Sequence, residues 1–312
     1  MSPESADWTI GKLIEWTRGF FEKKGIPQPR LEAEILLAHV LGAERIDLYM
    51  RYEQAVTAEQ RAVFRELVRR RAEREPTRYL TGGCEFMSLA MKVTPACLIP
   101  RPETERLVEE VLRLAGVSRR SPAAAAAAGV AAQPPAPISI IDLCTGCGCI
   151  AVSLAVYLPH ARVTATDISA EALDVARLNA EAHGVADRMT LLQGDLYEPL
   201  DAADVQPADF LVANPPYVTE AEWAGLQPEI REHEPHAALV AGPAGTEVVG
   251  RILKGAPAYL RPGGRLLMEI GDEQGGVVAG QAAAVRGLSD VQVIKDYAGL
   301  DRILMARREA KE

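Results

Sequence analysis

Ile138-Ser-Ile-Ile-Asp-Leu-Cys-Thr-Gly-Cys-Gly-Cys-Ile-Ala151 reads as a buried strand, a tight glycine turn and the start of an apolar helix. That succession is the opening of a βαβ unit, in which a parallel strand is followed by a crossover helix. Gly146 and Gly148 let the backbone approach a ligand without a Cβ in the way, as a nucleotide at the carboxyl ends of parallel strands requires. Gly146-x-Gly148-x-x-Ala151 also satisfies the dinucleotide fingerprint, so the loop alone does not choose between ligands.

The pattern continues downstream. Short β-branched runs at Arg162 to Thr166, Met189 to Gln193, Asp209 to Ala213 and Gly264 to Glu269, with a late pair near Val291 to Ile294 and Ile303 to Ala306, alternate with amphipathic helices. Strand alternating with helix predicts an α/β fold, a mostly parallel sheet covered on both faces. The second strand ends at Asp167, 19 residues after Gly148, where a carboxylate can accept both hydroxyls of a ribose. This spacing suits NAD and S-adenosylmethionine equally. Asp195-Leu196, after the third strand, offers a carboxylate and an apolar side chain to bound an adenine.

Upstream, the first 76 residues read as helices. Leu13, Trp16, Phe20 and Phe21 recur at helical spacing before Gly25; a second helix opens at Pro29 and is terminated by Gly42. Thr57 and Gln60 form a capping box for a third helix, with Val63, Phe64, Leu67 and Val68 as its stripe and Arg69 to Arg71 near its end. Residues 77–100 read as a hairpin linker, 101–312 as the catalytic domain with a helix from Glu103 to Ala115, and 121–137 as a mobile Ala/Pro-rich insertion without chemistry.

With 312 residues and 48% hydrophobic content, two globular domains are expected. The net charge is -9, and residues 1–76 hold 13 basic and 13 acidic side chains, so all of the excess lies in the remainder. Such a balance argues against a protein that lives on naked DNA or on an anionic membrane. The first residues lack a signal pattern and the longest apolar run, Ile141 to Leu158, is broken by Asp142 and two glycines, so a cytoplasmic protein is expected. Five cysteines, an odd number, make no disulfide framework for a chain this long and are read as reduced thiols. Cys144-x-x-Cys147 has the spacing of a zinc half-site, but no second cysteine pair exists and His233 with His236 is a poor substitute, so no metal is expected.

The most specific signal is Asn214-Pro-Pro-Tyr217, directly after a strand. Two prolines stiffen the loop and remove amide donors, leaving the Asn214 side-chain oxygen and the Pro215 carbonyl as acceptors for a planar NH2 group, on which Tyr217 would pack. An amide nitrogen is a poor nucleophile because its lone pair is delocalised. Two fixed acceptors can orient it and hold it in line with a methyl sulfonium, without a strong general base.

On these residues the chain resembles the S-adenosylmethionine-dependent N5-glutamine methyltransferases of HemK/PrmC type, which modify the Gly-Gly-Gln motif of peptide-chain release factors. The likeness covers almost the whole chain. It includes Pro29 to Leu37, Arg71 to Pro76, Tyr79-x-Thr-Gly82, Ile99-Pro-Arg-Pro-Glu-Thr-Glu105, Asp142 to Ala151, Asp167, Asn214 to Tyr217, Glu234-Pro235, Glu269-Ile-Gly271 and Asp301-Arg302. It implies a Rossmann-like class I methyltransferase domain joined by a β-hairpin to a small helical bundle that recognises the substrate. It also implies cofactor contacts at Cys144, Thr145, Gly146, Cys147, Gly148, Asp167, Asp195, Leu196 and Asn214. Asn214, Pro215, Pro216 and Tyr217 would bind the glutamine, with Asn214, Pro215 and Tyr217 carrying the transfer. The partner implied is a release factor, with no direct nucleic acid and no membrane, and the enzyme is expected to be a monomer. Cys144-Thr-Gly-Cys-Gly148 departs from the family's usual Gly-Thr-Gly-Ser/Thr-Gly, and Leu196 from an often aromatic neighbour of adenine.

Other readings share parts of this pattern. A sister enzyme acting on a ribosomal-protein glutamine would share the mechanism, but Pro102-Glu-Thr-Glu105 favours the release-factor branch. A DNA adenine-N6 methyltransferase lacks a basic groove here. An NAD oxidoreductase leaves Asn-Pro-Pro-Tyr unexplained, and a noncatalytic binding module accounts for the helical front alone.

Overall fold

The computed structural model describes residues 8–117 and 137–310. The Ala/Pro-rich insertion therefore lies outside the described residues except for Pro137. The chain divides into two compact units, Met1–Gly83 with Gln227–His233, and Cys84–Leu226 with Glu234–Glu312. Among the described residues no helix is long and apolar enough to cross a membrane.

The first unit consists of helices α1 (Ile10–Lys23), α2 (Pro29–Leu41), α3 (Arg45–Met50), α4 (Ala58–Ala72) and α5 (Thr77–Thr81), with the short helix Pro228–His233 returning to it from far along the chain. Gly42 terminates α2 in the left-handed region, and Thr57 and Gln60 exchange both capping-box bonds at the start of α4. The core is built from Ile10, Leu13, Ile14, Phe21, Leu36, Leu37, Phe64, Leu67 and Val68. Trp16 and Val63, expected in the apolar stripes, are instead each 54% exposed. The reason for Trp16 is local: one turn before Phe20, it stacks on that ring at 5.4 Å along the helix flank.

Buried ions complete this unit. Arg71 on α4 donates from Nε to Glu32 of α2 (2.9 Å) and from Nη1 to Glu229 of the returning helix (3.1 Å), and Arg74 adds a bond to the same Glu229 oxygen (3.2 Å). Glu32 also accepts from the Thr77 hydroxyl.

The second unit opens with a hairpin, β1 (Gly83–Phe86) and β2 (Leu89–Lys92), whose second strand is tied to the helix Ala170–Ala182 through Asn179. The helix expected from Glu103 begins one turn tighter, as a 3-10 turn over Pro102–Thr104, and becomes α-helical as α6 at Glu105–Leu114. A seven-stranded sheet follows: β3 (Ile138–Leu143), β4 (Ala161–Asp167), β5 (Met189–Gln193), β6 (Ala208–Ala213), β9 (Leu260–Glu269), β10 (Leu288–Lys295) and β11 (Asp301–Arg308). Val218–Thr219 (β7) and Val240–Gly242 (β8) pair separately. The sheet order is β10-β11-β9-β6-β3-β4-β5; the five strands from β9 to β5 are parallel, and β11 and β10 are antiparallel additions. The chain runs outward from β3 to β4 and β5, then returns to β3's other side as β6. A crevice forms at such a reversal beyond the carboxyl ends of the strands.

Candidate active site

That crevice is a cavity of about 640 Å³, within the ordinary range for small-molecule sites. Its floor is the turn after β3. Cys144 and Gly146 have positive φ (58° and 56°), which lifts the loop across the strand ends, and the Thr145 amide donates to Thr166 of β4 at 3.0 Å. The Thr145 hydroxyl donates to buried Asp142 at 2.6 Å. Burial pushes the Asp142 carboxyl up to about 7 against that bond, and Asp142 Oδ1 has no partner. Gly148 also has a packing role that the sequence did not show. It does not line the cavity; a Cβ there would stand 3.0 Å from Ala176, so its hydrogen and its φ of 79° permit close helix packing.

Asp167 lies at the end of β4 against the same loop. Its carboxylate accepts from the Gly146 amide (2.8 Å) and the Ser169 amide (2.9 Å). Burial raises its pKa, and these amides oppose the shift. Each oxygen keeps a further lone pair for a ligand hydroxyl. Asp195 and Leu196 also line the cavity. Arg251, which no sequence pattern singled out, lines it as well and donates to Asp195 at 2.7 Å. Burial pushes the Cys144 thiol up, and Cys147 is raised first through its hydrogen bond with Cys149. These cysteines are neutral thiols, small fillers of a crowded turn rather than nucleophiles.

The tetrapeptide after β6 forms the opposite wall. Asn214 and Pro216 line the cavity, whereas Pro215 and Tyr217 do not. Tyr217 turns away from it, its hydroxyl donating to buried Glu269 at 3.3 Å. Asn214 donates from Nδ2 to the Thr104 hydroxyl (3.2 Å), and that hydroxyl donates to the other oxygen of Glu269 (2.6 Å). The end of the loop is pinned too: the Tyr217 and Val218 amides donate to the Leu239 carbonyl, and Gln274 donates to the Tyr217 carbonyl at 2.9 Å.

Sequence reading missed most of the remaining lining. Pro95 to Leu98, Pro100 and Thr104 come from the segment before α6, and Pro235 to Ala238 from the 3-10 turn that leads into β8, with Val240 at the start of that strand. The quoted strings Ile99 to Glu105 and Glu234-Pro235 were the available signal. Glu234, nearly fully buried, accepts from the Ile99 amide (3.2 Å) and from Arg101 (2.6 Å), joining the two segments. His233 belongs to the helical unit, while His236 stands edge-on to Trp223 at 4.7 Å. Among the described residues no group of three or more His, Cys, Asp or Glu side chains is arranged to hold a metal ion.

Comparison with known proteins supports a specific family. Residues 12–82 match the family model of the PrmC N-terminal domain, and residues 130–228 that of the methyltransferase small domain. The release factor glutamine methyltransferase of Rhodopirellula baltica is 42% identical over 96% of this chain and 97% of its own length. Its counterpart in Geobacter sulfurreducens is 42% identical over 98% and 99%, and that of Moorella thermoacetica 45% over 91% and 93%. Among solved structures, the hMettl16 catalytic domain, crystallised with the MAT2A 3'UTR hairpin 6, superposes with a TM-score of 0.51 at 16% identity. It covers 72% of this chain and 77% of that one, a likeness of fold alone. A Rossmann-like sheet preceded along the sequence by a PrmC-type helical domain, in a chain matched over nearly its whole length by such relatives, makes this chain a methyltransferase of the release factor glutamine methyltransferase family.

Proposed function

We propose that the protein transfers a methyl group from S-adenosylmethionine to the side-chain amide nitrogen, N5, of the glutamine in the Gly-Gly-Gln motif of release factors. The observation that carries this is one cavity bounded by the glycine loop with Asp167 on one side and Asn214 with Pro216 on the other. The residues present fit the cofactor. Apart from Gly146 itself and its two chain neighbours, no heavy atom lies within 4 Å of the place a Gly146 Cβ would take, so the loop leaves open space there. Asp167 would accept from the ribose hydroxyls, the Cys144 to Cys147 backbone would bound the methionine portion, and Asp195 with Leu196 would bound the adenine. When bound, S-adenosylmethionine supplies a methyl group on a positively charged sulfur, which keeps the electron pair of the broken C–S bond.

The chain's own contribution is orientation. Asn214 Oδ1, on the cavity wall, accepts an N–H bond of the glutamine amide, and the Pro215 carbonyl, outside the cavity lining, would have to turn toward the substrate to accept the other; together they would fix the amide plane and draw its lone pair toward nitrogen. The nitrogen forms its bond to the methyl carbon and releases a proton to water, leaving a neutral secondary amide. Release-factor recognition falls to the helical unit, because a glutamine side chain is too small and too common to define a substrate. That unit presents Ile46, Tyr49 and Met50 to solvent on a single short helix, apolar surface of the kind found at protein interfaces.

The test is incubation of the full chain with methyl-labelled S-adenosylmethionine and, in separate arms, a release factor, the same factor with its motif glutamine replaced by alanine, ribosomal proteins and DNA. Label on the intact factor alone is expected. Label confined to ribosomal protein or DNA, or undiminished on the alanine factor, would overturn the proposal.

A further inference from the structure

Thr104 and Glu269 belong to neither wall's expected chemistry, yet the hydrogen bonds of the Asn-Pro-Pro-Tyr loop converge on them. A carboxamide has two faces that differ only in which end donates, and methyl transfer as read above needs the oxygen of Asn214, not its NH2, presented to the substrate. We propose that Thr104, held by Glu269, is the positioning residue that sets this orientation, an inference that rests on the glutamine-binding role assigned to Asn214.

A hydroxyl has one proton. At 2.6 Å from a carboxylate oxygen, the Thr104 proton is committed to Glu269, and only lone pairs remain to face Asn214. The group turned toward Thr104 must therefore donate. Nδ2 stands there at 3.2 Å, and Oδ1 becomes the outward acceptor. Glu269 sits at the end of β9, beside the end of β6 from which Asn214 springs, so neighbouring strands fix the separation. Its other oxygen takes the Tyr217 hydroxyl, so one buried carboxylate governs both ends of the tetrapeptide. Were Glu269 to carry a proton, it could donate to Thr104 instead, freeing the threonine hydroxyl to donate to Oδ1 and turn the carboxamide the wrong way.

The sequence makes the orientation directly observable, because Asn179 and Asn214 are the chain's two asparagines. With nitrogen-15 supplied only in asparagine, the spectrum contains two side-chain NH2 pairs. Asn179, bonded to the carbonyls of Lys92 and Cys147, is the internal reference for folding. In Thr104→Val the Asn214 pair is expected to lose its protection from exchange while the Asn179 pair stays unchanged, and Thr104→Ser is expected to restore it. On a release-factor substrate, Thr104→Val should lower kcat on the order of 10- to 100-fold, the rate equivalent of one charge-assisted hydrogen bond. S-adenosylmethionine affinity by calorimetry should be unchanged, and Thr104→Ser should keep most of the rate. An Asn214 pair equally protected in Thr104→Val, or a kcat like that of the wild type, would overturn the positioning role even if the wild type methylates the factor. A wild type that methylates no glutamine would instead overturn the functional reading, while the exchange measurement would still decide the hydrogen bond.

Discussion

Replacing Arg71 by methionine tests the account of the helical unit most severely. The arginine side chain is 5% exposed, and its partners Glu32 and Glu229 are 19% and 13% exposed. Removing one partner of a buried ion pair costs about 3–5 kcal/mol, because the remaining charge is left without compensation. Here two carboxylates are stranded, but neither is abandoned: Glu229 keeps Arg74, and Glu32 keeps the Thr77 hydroxyl. The lower end, about 3 kcal/mol, is therefore expected, a large share of the 5–15 kcal/mol that ordinarily holds a domain together. Urea unfolding of the full chain, followed by fluorescence, reads it conveniently, since Trp8 and Trp16 lie in this unit and Trp223 in the other. Burial opposes ionisation of Glu229, but its own amide, Arg71 and Arg74 hold its pKa below the usual value. Its ionised form thus stabilises the native state above the unfolded pKa, and that contribution is lost as pH falls through the lower native pKa. Without Arg71 the Glu229 carboxylate takes up a proton more readily, so the deficit of the variant should be largest near neutrality and shrink as the pH falls through the lowered native pKa of Glu229. Adding Glu32→Gln and Glu229→Gln should recover most of the loss. A single-variant cost below about 1 kcal/mol, the value typical of surface pairs, would refute the argument.

At the active site, Asn214→Ala should abolish methyl transfer while calorimetry finds S-adenosylmethionine binding largely intact. Asp167→Ala should do the reverse, weakening cofactor binding by about 1.5–3 kcal/mol, the range for a hydrogen bond to a charged group. Burial raises the Glu269 pKa, with Glu103 adding to the shift and Thr104, Arg302 and Tyr217 opposing it. Since the ionised form holds Thr104, kcat should fall on the acid side at a pH above the usual carboxylate range, and Glu269→Gln should flatten that limb. Asp167 is raised as well, so the KM for S-adenosylmethionine should climb over the same acid range, visible as a separate limb in kcat/KM.

What could be read without coordinates followed from local chemistry. β3 and β5 lie where their β-branched runs put them, Gly42 and Thr57 cap the helices they were expected to cap, and the glycine turn sits under Asp167 because each is a strand end. Distance along the chain marks what could not be read. Arg251 meets Asp195 across 56 residues, and Thr104 meets Glu269 across 165; neither partner leaves a trace in the other's neighbourhood of sequence. Tyr217 illustrates a second limit. Its place after the prolines was legible, but the direction of its ring depends on a buried carboxylate contributed by a distant strand. Gly148 shows a third: an absent side chain serves a ligand and a neighbouring helix equally well, and only Ala176 reveals the second use. The composition of the amphipathic faces likewise gave no hint that Trp16 would stay in solvent.

The ion cluster around Arg71 also has a consequence for synthesis on the ribosome. Arg71 is translated 158 residues before Glu229, which at about 5–20 residues per second is a delay of about 8–30 s. During that interval α1 to α5 have emerged, but a buried guanidinium lacks one of its two carboxylates, and the whole run from β3 to β6 is made in between. The nascent front is therefore a provisional structure, closed only when residues 227–233 come back to it. The order in which the chain is made thus guarantees that the helical unit is completed after the Asn-Pro-Pro-Tyr loop has been synthesised, not before.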